Sequence, residues 1–443
     1  MTSSYLIKNA KVISRGQHSI TSVLIADDRI TALGSQAESA LTDTTVQIDG
    51  AGCSLIPGLV DAHCHISFDE PKSNDELFFH RRPGLATIIA AVNAQKVLRA
   101  GVTSFFDADC IFDVGVDLRD AIEGGVVEGP RMATGGNALI TSVGGTAGRL
   151  LPVSGKLGYA AIVQTPDEIV REIRRQIKSG CDWIKVHVSG LPVRRTPMHG
   201  SGEIQAWTLD ELRLVCDTAH ALGIPVAGHC RNTSSIHDAA LAGFDMILHA
   251  SYMDEETLEV VVDQCVPLVP TFTFLSNLID YGHKVGSDPA LQKVFMNEIS
   301  QSAAMLRRAY DAGVPLLCGS ESGFAITPYG DWHFREMGLF TEHLGLTPLQ
   351  SIACATEAGA KIFGLEKELG CIEAGFIADV VLVAGDLEQD LNLLGQRENI
   401  RAIFKSGKKI DLERAIPDSW NIPSWRTGQF ADEVLTYELA HRP

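Results

Sequence analysis

Several common classes of protein are excluded by what this chain lacks. It contains no Cys-x-x-Cys pair among its 10 cysteines, so neither a zinc ribbon nor a dithiol redox motif is encoded. No apolar run approaches the roughly 18 residues of a membrane span. The opening Met1-Thr-Ser-Ser-Tyr-Leu-Ile-Lys-Asn has no charged segment leading into a long apolar one, so no export signal is read there and free thiols in a cytoplasmic protein are expected. Basic residues are in deficit, 37 Lys and Arg against 55 Asp and Glu, a formal net charge of −18. Such a surface repels phosphate backbones and anionic lipid, which excludes nucleic acid and membrane as main partners and leaves a small molecule. No Gly-x-Gly-x-x-Gly turn marks a nucleotide-binding switch point.

At 443 residues the chain exceeds one core of ordinary size, and its texture changes along its length. Residues 5–11 and 22–25 read as short strands, and Asp27-Asp28-Arg29-Ile30 as a turn entering another. The same strand-rich texture returns at Gly370-Cys-Ile-Glu-Ala-Gly-Phe-Ile-Ala-Asp-Val-Val-Leu-Val and at residues 400–410. Between these ends, short apolar runs alternate with helical patterns, for example at 166–179, 209–222 and 297–312. Counting residues 55–60 as the first, eight apolar runs each feed such a stretch, the number a closed (β/α)₈ TIM barrel needs. The expected division is therefore a barrel over 57–366 and a small β domain built from 1–56 and 367–443.

Histidines mark the ends of several of these runs. His63 and His65 close Leu55-Ile-Pro-Gly-Leu-Val-Asp-Ala-His-Cys-His, and residues two apart in a strand share a face, so both can reach one metal ion; Cys64 should point away. His229 ends Ile224-Pro-Val-Ala-Gly-His and His249 ends Phe244-Asp-Met-Ile-Leu-His. Barrel active sites lie at this end of the strands. Lys185 sits within Trp183-Ile-Lys-Val-His-Val, where an ordinary ammonium is awkward to bury, and His187 shares its face. His333 and Glu336, at i,i+3 spacing, read as a surface helix face.

The motif ending in His63-Cys-His65 resembles the first barrel strand of the amidohydrolase superfamily. The Gly370 motif is similar to the point where such chains re-enter their β-sandwich, which implies that the small domain built from both ends is a β-sandwich. Gly129-Pro-Arg-Met-Ala-Thr-Gly-Gly, Gly144-Gly-Thr, and Thr347-Pro-Leu-Gln-Ser-Ile-Ala-Cys-Ala-Thr with Ala358-Gly-Ala-Lys-Ile-Phe-Gly resemble imidazolonepropionase-like and prolidase-like members. The resemblance covers roughly residues 5–410, and residues 412–443 match nothing in it. It implies a binuclear centre, with zinc expected and manganese or cobalt as substitutes: His63 and His65 at one ion, His229 and His249 at the other, and Lys185 bridging as N6-carboxylysine. Glu321, in Cys318-Gly-Ser-Glu-Ser-Gly, stands where relatives usually carry the aspartate that binds metal and takes the proton of the attacking water. Thr146 replaces a histidine that relatives carry after the paired glycines.

The expected function is hydrolysis of a C–N bond in a peptide-type or N-acyl amide by metal-activated hydroxide, with Glu321, Lys185 and His249 catalytic. His187, Tyr252, Arg194 and Thr146 are candidate substrate contacts, with Arg195 and His199 in the same loop as Arg194. A homo-oligomer is expected from the resemblance. The alternatives are a carbamate or urea hydrolase, a mononuclear deaminase on the same fold, and a degenerate binding protein.

Overall fold

A computed structural model describes residues 4–73, 76–78, 81–145, 158–191 and 203–417. Of these, residues 4–412 form one compact unit.

The two chain ends meet in one mixed sheet. β1 (Tyr5–Ser14), β2 (Gln17–Ala26), β3 (Arg29–Leu33), β4 (Val46–Asp49) and β5 (Cys53–Pro57) come from the N-terminal side. β5 pairs antiparallel with a late strand, Val380–Ala384, which pairs onward with Ile400–Lys405 and then Lys408–Lys409. These described strands make an eight-stranded sheet over a core of Ile7, Val23, Ile25, Leu55, Val380, Leu382 and Phe404.

The apolar run 55–60, expected to be one strand, is divided. β5 stays with that mixed sheet, and β6 (Leu59–Cys64) starts the parallel system. Gly58 is the break between them. Its N–H donates to Asp379 O, and a Cβ there would fall 2.0 Å from Thr103 Oγ1, so only glycine permits the crossing.

The middle of the chain is α/β with parallel sheets. β7 (Val102–Asp107) and β8 (Arg131–Thr134) pair in parallel with β6 in the order β6-β7-β8. A second sheet contains β9 (Ala138–Ile140), β10 (Ala160–Ile162), β11 (Ile184–His187), β14 (Val226–Cys230), β15 (Met246–His249) and β16 (Leu268–Val269). Between β11 and β14 lie the short antiparallel partners β12 (Ser189–Gly190) and β13 (Ile204–Gln205). Single backbone bonds run between neighbouring segments: Trp183 N–H donates to Thr134 O, Leu317 N–H to Leu268 O, and Ala62 N–H to Cys318 O.

Helices follow the strands, and their limits have local causes. The helix Pro166–Ser179 begins on the Thr165 side chain, which accepts from Glu168 N–H, and stops at Gly180 with φ +103°. Leu209–His220 opens on a capping box of Thr208 and Glu211. The helix expected at 297–312 in fact spans Pro289–Asp311, because Asp288 caps it and proline fits its first turn.

Strand alternation sorts the core into two sets. Leu59, Phe105, Met132, Ile184, Val186, Val226, Ile247, Leu268 and Leu316 join the large cluster that includes the helix residues Val97, Leu118, Ile173 and Val215. Val60, Ala62, Phe106, Ala133, Ala227, Met246, Leu248, Val269 and Leu317 pack against one another instead. A period of two along each strand thus separates a helix-facing set from an inner set.

Candidate metal centre

The strand ends bring together the histidines that the sequence singles out. The His63 ring lies 5.0 Å from His65 and 5.1 Å from His249, His249 lies 4.4 Å from His229, and His229 stacks on His187 at 4.7 Å. Donor atoms of His63, His249 and Glu321 all lie within 4.8 Å of one another. Lys185 is completely buried, its ammonium 3.5 Å from Asp109 Oδ1.

Lys185, His187 and His229 follow the inner-facing alternation of their strands, but two ligand candidates break it. The register of β6 against β7 shifts between Asp61 and Cys64, which swings His63 out of sequence with Val60 and Ala62. His249 takes φ +69° and the next residue, Ala250, +50°. Thr271 at +59° and Glu321 at +54° share this left-handed conformation, a costly one for residues other than glycine. Left-handed backbone thus carries three of the pocket side chains, His249, Thr271 and Glu321.

The last segment of the parallel system approaches closely because it carries glycine. A Cβ on Gly319 would lie 2.7 Å from His63 Cβ, and one on Gly323 2.5 Å from His65 O. Beneath them, Asp61 Oδ1 accepts from the backbone N–H groups of both His63 and Ser320, each at 3.0 Å. Asp61 Oδ2 accepts from His333 Nδ1 at 2.6 Å and also from the Ser320 hydroxyl.

The surface face expected of His333 and Glu336 is therefore wrong. His333 is buried against Asp61, and Glu336 accepts from Phe272 N–H, Thr273 N–H and the Thr273 hydroxyl at 2.6–2.8 Å, capping the helix Phe272–Tyr281. The helix begins only at Arg335, so His333 lies in the turn before it and shares no helix face with Glu336, and spacing says nothing of what packs on either.

Electrostatics keep the imidazoles neutral. Burial, with repulsion from Lys185 adding to it, holds His65 and His229 at about 4 and His63 and His249 well below their usual range; Asp109 and Glu203 oppose this only in part. Neutral imidazole is the form that binds metal. Burial opposes ionisation of Asp109, but Lys185, His187 and His65 outweigh it and hold the carboxyl well below its usual value. Glu203 is lowered to about 2, burial being overcome by His229 and Arg231. Burial pushes the Glu321 carboxyl up to about 8, against Arg231 and Lys185.

This donor set fits a divalent cation. His65 Nδ1, His249 Nε2 and Lys185 Nζ are buried without a hydrogen-bond partner among the described residues, a costly arrangement unless something else satisfies them.

Around them stand side chains that sequence spacing did not reveal. Asp109 Oδ2 lies 3.1 Å from His187 Nε2 and 3.8 Å from His65 Nδ1. Glu203 meets His229, and Thr271 Oγ1 lies 3.0 Å from His63 Nδ1. Arg231 makes two bonds to Glu298, at 3.0 and 2.7 Å. Asp109 had a signal of a kind, since Asp107-Ala-Asp109 prolongs an apolar strand with period-two carboxylates; the others had none.

Tyr252 is half-buried, its backbone held by Thr233 and Ser302. Thr146, Arg194, Arg195 and His199 lie outside the described residues.

The chain is similar to ochratoxinase from Aspergillus niger, 25% identical over 417 residues that cover 87% of this chain and 82% of that protein. It is 26% identical to imidazolonepropionase from Symbiobacterium thermophilum, covering 85% of this chain and 86% of that one. Among solved structures, a Xaa-Pro dipeptidase with methionine bound in its active site superposes with a TM-score of 0.77 at 26% identity, over 92% of this chain and all of the other. The model of the amidohydrolase family matches residues 54–410, and the chain belongs to that family. It is a hydrolase, acting on a small molecule.

Proposed function

We propose that this hydrolase cleaves the C–N bond of peptide-type or N-acyl amides at a metal centre. The observation that carries the reading is the convergence of His63, His249 and Glu321 donor atoms within 4.8 Å, from strand ends far apart in sequence. The similarity to a Xaa-Pro dipeptidase favours peptide-type amides over other C–N substrates. We read the eight parallel segments as a closed (β/α)₈ barrel and the two-ended sheet as its β-sandwich companion; the bonds from Trp183 to Thr134 and from Ala62 to Cys318 support closure.

His63 and His65 would hold one ion, His229 and His249 a second, with Glu321 at the first and Lys185 between them as N6-carboxylysine. In forming that carbamate the lysine ammonium would gain CO₂ and release two protons to solvent, keeping one N–H. Zinc suits the nitrogen and carboxylate donors, as do manganese and cobalt. A bound divalent cation supplies Lewis acidity, lowering the pKa of water and polarising a carbonyl.

The protein's own groups do the rest. Glu321 takes the proton of the attacking water and delivers it to the leaving nitrogen, which otherwise departs poorly. His187, fixed by Asp109, and Tyr252 are proposed to orient the substrate, joined by Arg194 and Thr146.

The test is the metal-stripped chain, reloaded with zinc, manganese or cobalt and offered dipeptides, N-acyl amino acids, carbamates and ureas. Metal-dependent release of amine from the amides is expected. Turnover of carbamates or ureas alone would overturn the amide assignment.

A second reading has two observations in its favour. Lys185 is ion-paired to Asp109, and the compact donor group His63, His249 and Glu321 suffices for a single ion. One metal per chain with Lys185→Ala fully active would establish that mononuclear reading in place of ours.

A further inference from the structure

We infer that Glu203 is a positioning residue for His229, selecting which ring nitrogen that histidine offers to the pocket; this rests on the metal-centre reading above. Glu203 sits beside β13, which returns antiparallel onto β12 with Gln205 opposite Ser189. Its carboxylate is held from several sides. The Ser189 hydroxyl donates to Oε2 at 2.6 Å, and the Arg231 guanidinium lies 3.7 Å from Oε1. Arg231 is itself fixed by two bonds to Glu298, which also accepts from the Ser251 hydroxyl at 2.7 Å. The Glu203 backbone carbonyl accepts from Asn232 Nδ2 at 3.3 Å.

Onto this fixed carboxylate His229 directs Nε2, 3.1 Å from Oε2 and 3.4 Å from Oε1. A carboxylate only accepts, so the hydrogen resides on Nε2 and the lone pair on Nδ1. His187, stacked on the His229 ring with planes 4° apart, opposes a ring flip that would exchange the two nitrogens.

His63 is set the opposite way. The Thr271 hydroxyl donates to Val269 O at 3.1 Å and therefore accepts from His63 Nδ1, leaving the lone pair on Nε2. Two histidines of one pocket thus present different nitrogens, each dictated by a neighbour outside the ligand set. Outer groups of this kind fix tautomer and orientation and raise ligand basicity.

The experiment uses the full chain loaded with cobalt(II), comparing wild type with Glu203→Gln, Ser189→Ala, His229→Ala and the double variant Glu203→Gln/His229→Ala. Affinity is read by competition with a chromophoric chelator, coordination by the visible spectrum, and integrity by circular dichroism. Glu203→Gln is expected to weaken cobalt binding about 10- to 100-fold and shift the spectrum. Ser189→Ala should do the same to a smaller degree. In the His229→Ala background the Glu203 substitution should add nothing, because it acts through that ring.

Wild-type affinity and spectrum in Glu203→Gln, or fully additive losses in the double variant, overturn the inference while leaving the metal centre standing. Failure of the wild type itself to bind cobalt removes both. Should Glu203→Gln not fold, the Ser189→Ala spectrum decides alone.

Discussion

The ammonium of Lys185 lies 3.5 Å from Asp109 Oδ1, and both side chains are buried. Asp109 stabilises the lysine as a cation but would repel a carbamate formed on it unless metal cations lie close by. Carboxylation should therefore depend on metal: ¹³C-bicarbonate gives a carbamate signal only in the metal-loaded protein, and Lys185→Ala abolishes it. Asp109→Asn leaves the buried ammonium unpaired, and a loss of about 3–5 kcal/mol is expected in denaturant unfolding of the metal-free chain. Equal stability of Asp109→Asn and wild type would show that the pair has no such role.

Glu321 is the proton carrier in our reading, so Glu321→Gln should cut kcat by about 10²–10⁴-fold. Glu321→Asp, with the carboxylate drawn back by one methylene, should keep more of it. Equal kcat in Glu321→Gln and wild type would assign the proton to another group.

Glu336 gives stability a pH dependence. Burial, aided by Asp61, raises its carboxyl from 4.5 to about 7 despite the donors on Phe272 and Thr273. The folded chain then binds the proton more tightly than the unfolded chain. This contribution is full below about 4.5, declines as pH rises toward 7, and is lost above it. The fall amounts to roughly 3 kcal/mol by this shift alone. Unfolding free energies of Glu336→Gln and wild type, compared from pH 4 to 8, should differ by an amount that changes through this window. A constant difference would refute the assignment.

Gly323→Ala tests the close approach of the last segment to the first. Its φ of +128° suits only glycine, and the added carbon would meet His65 O at 2.5 Å. A loss of about 1–3 kcal/mol, with weaker metal binding, is expected. Gly338→Ala, inside the helix Arg335–Leu344 with nothing within 4 Å of the added carbon, is the control: it should stabilise by about 0.5–1 kcal/mol and leave metal binding unchanged.

The strand ends bearing His63, Lys185, His229 and His249 were legible because an apolar run ending in a polar residue is a local pattern. Side chains such as Thr271 and Glu203 were not, and Asp109 only faintly, since each matters through a partner that folding brings near. His187 and Asp109 are 78 residues apart, and His333 and Asp61 are 272. His333 and Glu336 read as one solvent-facing helix stripe, yet His333 precedes the helix that starts at Arg335, and both are buried where Asp61 and the Phe272–Tyr281 helix cover them.

The chain by itself determined its alternation of strand and helix, the pairing of its two ends into one sheet texture, and the residue types able to hold a cation. Local periodicity and side-chain chemistry suffice for that. Only the tertiary structure decided that His63 and His249 enter the pocket, because a register shift after Asp61 and a left-handed backbone at His249 override the period of two. Such departures cost free energy locally and persist through packing contacts from distant parts of the chain.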